Sequence, residues 1–348
     1  MCESEEREYE IVNKKALADY EKNIRKKIIA EVGCKNAQKL CHYTSAAALC
    51  SMLQEKTRRE NDKNCNLVDN EPEELSFEHN GKVCTPSHVG EFWFSKWNCL
   101  NDPTEFRLIH GYIEEWINKH KKDCEGFCNT ISTYNAWENY VKSDITEDWG
   151  LFRHEYDVFV ASFTQDDDLL NMWNAYAAES DGYSITFDSC PFNESNDNYE
   201  IQYASVIYCE SEHRRIVNDL MELLREAYES NEVKAEGNED RDLIICTLFG
   251  EIVSQIGGCL KHHSYKEEKE IRAIIRLTPQ GRALIRYRAS SGAIIPYVPV
   301  EFDIGKISSI RISPTLSEGW AIPGLRSIRN YTNLDFDIKE SEIPIRKV

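Results

Sequence analysis

The pattern of apolar and polar positions divides the chain into many short strand-like runs and a few long helical ones. Lys39-Leu40-Cys41-His42-Tyr43-Thr44 reads as a strand, and Ser45 stands where it can cap a helix opened by Ala46-Ala47-Ala48-Leu49 and ending near Gln54. Two short apolar runs around Asn80-Gly81 predict a hairpin over 75–85, because Asn-Gly supplies the positive φ angles of a type I′ turn. Further strands are expected at 92–95, 156–163, 183–188, 203–208, 270–277, 283–288, 294–302 and 307–312, with an extended tail. Helical spacing predicts helices over about 103–122, 131–142, 169–178, 211–230, 240–262 and 325–331. In the N-terminal segment Tyr9, Val12, Ala16, Tyr20, Ile24 and Ile28 recur near helical spacing, so residues 1–35 read as a helical extension. The remainder, 36–348, reads as one domain with an insertion at 55–90. Strands and helices do not alternate as βαβ units. The expected class is α+β, with mixed, mostly antiparallel sheets and helical insertions.

Charge narrows the partners. Lys plus Arg number 41 against 60 Asp plus Glu, a net charge of −19, which disfavours nonspecific grip on nucleic acid or an anionic membrane. No apolar run reaches the length of a membrane span, and Met1-Cys2-Glu3-Ser4-Glu5-Glu6 is acidic where a signal peptide is basic. The expectation is a cytoplasmic protein whose 13 cysteines are reduced thiols. The nearest approach to a zinc pattern is Cys124 with Cys128, and His262 with His263 for the other half; without a second Cys pair, buried thiols are the preferred explanation and no metal is expected.

No glycine-rich phosphate loop follows a strand, and no nucleophile elbow is present. Four clusters remain. His42-Tyr43-Thr44-Ser45 lies where a strand enters a helix, with His42 and Thr44 on Leu40's face and Tyr43 on Cys41's; a locally bonded core-edge histidine is the plain alternative. Trp93-Phe94-Ser95 precedes Asn101-Asp102-Pro103-Thr104-Glu105, in which Asp102 before Pro103 reads as a helix N-cap. Trp173 and Tyr176 stand one helical turn apart, a spacing that suits core packing or stacking on a planar ring. In the fourth cluster Glu268, Glu270 and Arg272 share a strand face, either solvated or holding two carboxylates beside a cation.

Taken in order, these clusters, with Ser162-Phe163-Thr164, Gly182-Tyr183-Ser184-Ile185-Thr186-Phe187-Asp188 and Ser341-Glu342-Ile343-Pro344-Ile345-Arg346, resemble the bacterial family catalogued as domain of unknown function 2971. The resemblance runs from about residue 38 to the end, with 55–90 as an insertion and Ser313-Pro314 where the family has Gly-Pro. More distantly, an early His followed by Thr and a late Glu are similar to ADP-ribosyltransferases of the histidine–tyrosine–glutamate type. That resemblance implies a split sheet and NAD as substrate. His42 would contact the adenosine ribose and Glu270 the nicotinamide ribose, while Tyr43, Tyr176 and Tyr183 all compete for the aromatic place.

The chemistry implied is cleavage of the nicotinamide–ribose bond, which develops oxocarbenium-like charge that a fixed carboxylate stabilises. Glu270 is then catalytic with Glu268 in support. The NAD-binding set is His42, Tyr43, Thr44, Ser95, Asn101, Asp102, Glu105, Trp173, Tyr176 and Arg272. Arg272, Arg288 or Lys96 would hold the phosphates. The leading expectation is an NAD-consuming ADP-ribosyltransferase or NAD glycohydrolase, a bacterial toxin or phage-defence effector acting on protein, nucleic acid or water. Set against it are a non-catalytic nucleotide-sensing or partner-binding module, and another hydrolase or transferase using Glu268, Glu270 or Asp102 as acid–base groups.

Overall fold

The computed structural model describes residues 39–53, 77–79, 82–84, 89–100, 102, 104, 106–133, 157–176, 182–192, 195–230, 238–290, 292–332 and 334–344, with Lys22 and Lys27 besides. The N-terminal extension expected at 1–35, apart from those two lysines, lies outside them, as do most of the insertion expected at 55–90, Asn101 and Glu105. The expected hairpin is present as β2 (Phe77–His79) and β3 (Lys82–Cys84), paired antiparallel in their own small sheet.

The main sheet joins β1 (Leu40–Ser45), β4 (Val89–Lys96), β5 (Val158–Thr164), β6 (Gly182–Phe187), β7 (Tyr199–Ser205), β8 (Glu270–Leu277), β9 (Arg286–Ser290), β10 (Ala293–Asp303), β11 (Ile307–Ile312) and β12 (Asp337–Glu340). Pairing is antiparallel except for β11 with β12, which α6 (Glu318–Thr332) connects as a crossover. This is the mixed, mostly antiparallel α+β architecture expected. β5 is the branch point. Along one edge it pairs with β8 over its whole length, from Val158↔Arg276 to Thr164↔Glu270. The other edge is shared: β4 takes its start through Ser95↔Val160, and β1 takes its end through Cys41↔Thr164. The order β12-β11-β6-β1 and the order β4-β10-β9 therefore diverge from β5.

Alternation along β5 sends Phe159, Ala161 and Phe163 to one face, and Val158, Val160, Ser162 and Thr164 to the other. The first face is a phenylalanine-rich core with Phe92, Phe94, Phe187 and Phe302, closed by α1 (Ala46–Leu53) and α6. The second receives helices: α2 (Leu108–His120), a further helical stretch 125–133, α4 (Glu210–Glu229) and α5 (Asn238–Gly257). α4 shows why it lies there, since Ile216, Val217, Leu220, Met221, Leu224 and Ala227 form one buried stripe at i, i+4, i+8 spacing. α3 (Leu170–Tyr176) sits beside β1.

Some boundaries move. Strand β7 spans Tyr199–Ser205 rather than 203–208, because it follows β8 from Tyr199↔Leu277 while Ile207 turns away to bridge Leu260. β9 starts at Arg286, after a 3-10 turn at Gln280–Leu284, and α6 begins at Glu318 with Pro323 inside it. The helix expected from 103 begins only at Leu108, since Phe106 adopts φ 59 and breaks the helical path. None of the described helices is long and apolar enough to cross a membrane.

Gly258, just past α5, is a site of close approach. A Cβ there would lie 2.6 Å from Phe106 Cζ and 3.2 Å from Ile274 Cδ1. Gly258→Ala is expected to lose about 1–3 kcal/mol through overpacking. Gly111→Ala, at an exposed position of α2 with nothing within 4 Å of the added methyl, should gain about 0.5–1 kcal/mol. Urea unfolding of both variants checks this; equal stabilities would refute the packing account.

Candidate functional site

The densest polar grouping stands at the head of β8. The 3-10 turn His263–Glu268 ends at Lys269, a non-glycine residue at φ 47, and Glu270 then enters the sheet. Glu268 thus lies in the turn, so the three charged residues do not share one strand face. Glu270 and Arg272 share it, and Glu268 reaches them through Lys261. Arg272 donates from Nε and Nη2 to the two oxygens of Glu270 at 2.7 and 3.0 Å, and from Nη1 to the Gly258 carbonyl at 2.9 Å. Lys261 Nζ donates to Glu268 at 2.7 Å and to Glu270 at 2.9 Å, and stands 4.7 Å from the Tyr265 ring centroid. The Glu270 backbone N–H donates to Tyr208 Oη at 2.9 Å.

This grouping is buried. Arg272 is 1 % exposed, with Lys261 and Glu270 at 5 %, which overturns the solvated-face alternative. Burial alone would raise the Glu270 pKa, but the charges of Arg272 and then Lys261, with hydrogen bonds from Arg272 and Ser162, bring it down to about 2. Two carboxylates and two cations neutralise one another here.

Backbone strain gathers at the same place. Among the described residues the non-glycine positions with positive φ are Phe106 and Lys269. Lys269 precedes Glu270, and Phe106 packs on the Gly258 whose carbonyl holds Arg272. Just before Phe106, Asp102 is buried, and its Oδ1 accepts from the Thr104 N–H at 2.8 Å and from Thr104 Oγ1 at 2.7 Å. Asp102 therefore caps a turn rather than a helix, which corrects the N-cap expectation. Its Oδ2 has no partner among the described residues.

The β1 residues separate as alternation predicts. Cys41↔Thr164 and Thr164↔Glu270 put Cys41 and Tyr43 on the Glu270 face, and leave His42 and Thr44 on the opposite one. His42 and Glu270 therefore do not face one common cleft. His42 is bonded from Nδ1 to the Ser162 carbonyl at 2.9 Å and packs edge-on against Phe92; burial pushes its pKa down to about 4, although the residue as a whole is only half-buried. Thr44 is buried opposite Tyr183. Tyr43 Oη donates to the Asp166 carbonyl and accepts from the Leu169 N–H, and its ring meets Trp173 edge-on at 4.6 Å. Trp173 is itself buried and donates from Nε1 to Asp168, which also holds Ser341 Oγ and the Glu342 N–H. Its part is therefore to fasten the C-terminal segment to α3. Tyr176 is 37 % exposed on α3, which packs against the 3-10 turn carrying Glu268.

Ser95 belongs to another surface, on β4, β10 and β9. Ser95 Oγ accepts from Arg288 Nη2 at 2.8 Å, and the Arg288 guanidinium lies 5.9 Å from the Trp93 ring centroid. Trp93 in turn packs against Tyr297 at 4.7 Å. The buried Nε of Arg288 has no acceptor among the described residues. Glu91 is already engaged by Trp93 Nε1 at 2.8 Å, and Arg286 lies 3.9 Å from it.

Sequence reasoning missed Lys261, Tyr208, Phe106 and Tyr297. Lys261 carried one signal, a charge following the apolar Cys259-Leu260; its partners come only from the tertiary fold. Cys124 and Cys128 do meet, Sγ to Sγ at 3.5 Å, but no group of three or more His, Cys, Asp or Glu among the described residues is arranged to hold a metal.

Residues 172–273 match a family described as a protein of unknown function, DUF2971. That stretch includes Trp173, Tyr176, Glu268, Glu270 and Arg272, and leaves out His42 and Ser95. No curated protein and no solved structure matches the chain.

The cluster predicts an acid dependence. Glu270 stays ionised to a lower pH in the folded protein than its ordinary value of 4.5 allows in the unfolded chain, so its stabilisation is complete above 4.5 and drains away as pH falls toward 2. The shift corresponds to about 3 kcal/mol. Glu270→Gln should lose at least that much at pH 7 and lose this segment of the pH profile. His42, whose ordinary value is 6.5, resists protonation when folded, so its share of stability fades earlier, between 6.5 and about 4. Urea unfolding of wild type and Glu270→Gln from pH 7 to 2 checks the Glu270 share; identical profiles would refute that assignment.

Proposed function

We propose that the protein is a nucleotide-sensing or partner-binding module whose anionic ligand seats on Arg288, Ser95 and Trp93. The observation that carries this is Arg288: a guanidinium set beside an indole ring, held by one bond to Ser95, with its buried Nε–H left without an acceptor among the described residues. A phosphate oxygen supplies that acceptor, and the half-buried Trp93, backed by the buried Tyr297 ring, offers a ring edge for a base. Arg272, by contrast, spends its donors on Glu270 and Gly258, so it serves the fold rather than a ligand.

A second reading, an NAD-consuming ADP-ribosyltransferase or glycohydrolase, is favoured by Glu268. Its side chain is 17 % exposed, and Tyr176 stands on the helix packed against its turn. In that chemistry Glu268 is the carboxylate that meets the developing cation, with Glu270 holding Lys261 and Arg272 in position.

Calorimetric titration with ATP and with NAD tests the main proposal. Arg288→Gln should weaken binding about tenfold, the worth of one charge-assisted hydrogen bond. Unchanged affinity in that variant would overturn it. Incubation with NAD separates the readings. A sensing module releases no nicotinamide, whereas the transferase reading requires release that Glu268→Gln cuts by about a hundredfold or more.

A further inference from the structure

Further along the face of β8 that carries Arg272, a cavity of about 250 Å³ opens between the sheet and α5. Strand register builds its floor. Val158 pairs with Arg276, Gln202 with Ile274, and Glu200 with Arg276, so side chains from β5, β8 and β7 lie side by side. Ser254 of α5 contributes to the wall. Two features make this more than a packing gap. Val158 and Ile274 give it an apolar surface, and the Gln202 amide nitrogen is buried with no acceptor among the described residues.

We propose that this cavity is a binding site for an uncharged heterocycle of nucleobase size. The volume falls below the roughly 300–1,000 Å³ typical of sites for drug-sized ligands, which suits a single ring system. A planar heterocycle lays its apolar faces on Val158 and Ile274 and presents an in-plane acceptor to the Gln202 N–H. A carboxamide pairs with an adenine edge in just this way, because it offers a donor and an acceptor side by side. Charge selects against an ionic ligand. Arg276 Nη2 and Glu200 Oε2 are joined at 2.6 Å, so the cation and the carboxylate that line the cavity offset one another and leave it without net charge. Water alone would fill the hydrogen bond yet leave the apolar walls uncovered.

The site stands independently of the Arg288 surface, and the experiment separates them. The full-length chain is titrated with adenine by calorimetry and by saturation-transfer NMR. Saturable binding is expected, weakened at least tenfold in Gln202→Met and in Gln202→Glu, which keeps the shape but removes the donor. Both variants should keep the wild-type circular dichroism spectrum. Saturating inorganic tripolyphosphate, which would occupy Arg288, should leave adenine binding intact. No adenine binding, wild-type affinity in both Gln202 variants, or displacement by tripolyphosphate would each overturn the inference.

Discussion

The bidentate pair between Glu270 and Arg272 is the interaction on which the rest of this structure depends. Both charges are taken out of water, at 5 % and 1 % exposure, a cost that attraction offsets only when geometry is good and spare hydrogen-bonding groups are filled. Here those conditions are met. Lys261 takes a second bond to Glu270, Gly258 accepts from Arg272, and Tyr208 accepts from the Glu270 backbone. Each partner comes from a different part of the chain, so β8 cannot take its place without fixing the end of α5, the turn after it and the segment following β7.

The strain at Phe106 and Lys269 follows from that arrangement. Lys269 must turn sharply for Glu270 to enter the strand while Glu268 folds back toward Lys261. Phe106 must abandon the helical path so that its ring covers Gly258, which has no side chain to oppose it. Left-handed backbone at a lysine and a phenylalanine is tolerated because the buried charges over-determine both turns. Ser162 serves both faces of the sheet, accepting from His42 through its carbonyl while its side chain stands on the Glu270 face and helps hold that carboxylate ionised.

Alternation and turn chemistry were enough to locate most elements. β8 and β11 match their expected spans, and the β2–β3 pairing and the stripe of α4 are where periodicity places them. Local pattern failed where a distant partner decided the matter. β7 starts early because β8 offers it a ladder, and α2 starts late because Phe106 serves Gly258. The candidate site was half legible. Glu270, Arg272, Trp173 and Ser95 stood out, and the opposite facing of His42 and Tyr43 followed from the period of two.

What the residues by themselves determined, then, was the class of fold, the faces of individual strands and the identity of the unusual side chains. These depend on neighbours a few positions away, and short-range geometry is the same in any context. What only the tertiary structure decided was which of those side chains are occupied and which are free. Glu270 looks like a reactive carboxylate in the sequence, and Arg288 like one more charge on an edge strand. The fold reverses them. It surrounds Glu270 with two cations from remote segments, and leaves the buried Nε of Arg288 without an acceptor among the described residues. Whether a charge is neutralised depends on every group within a few ångströms, and those groups are brought together by chain folding alone.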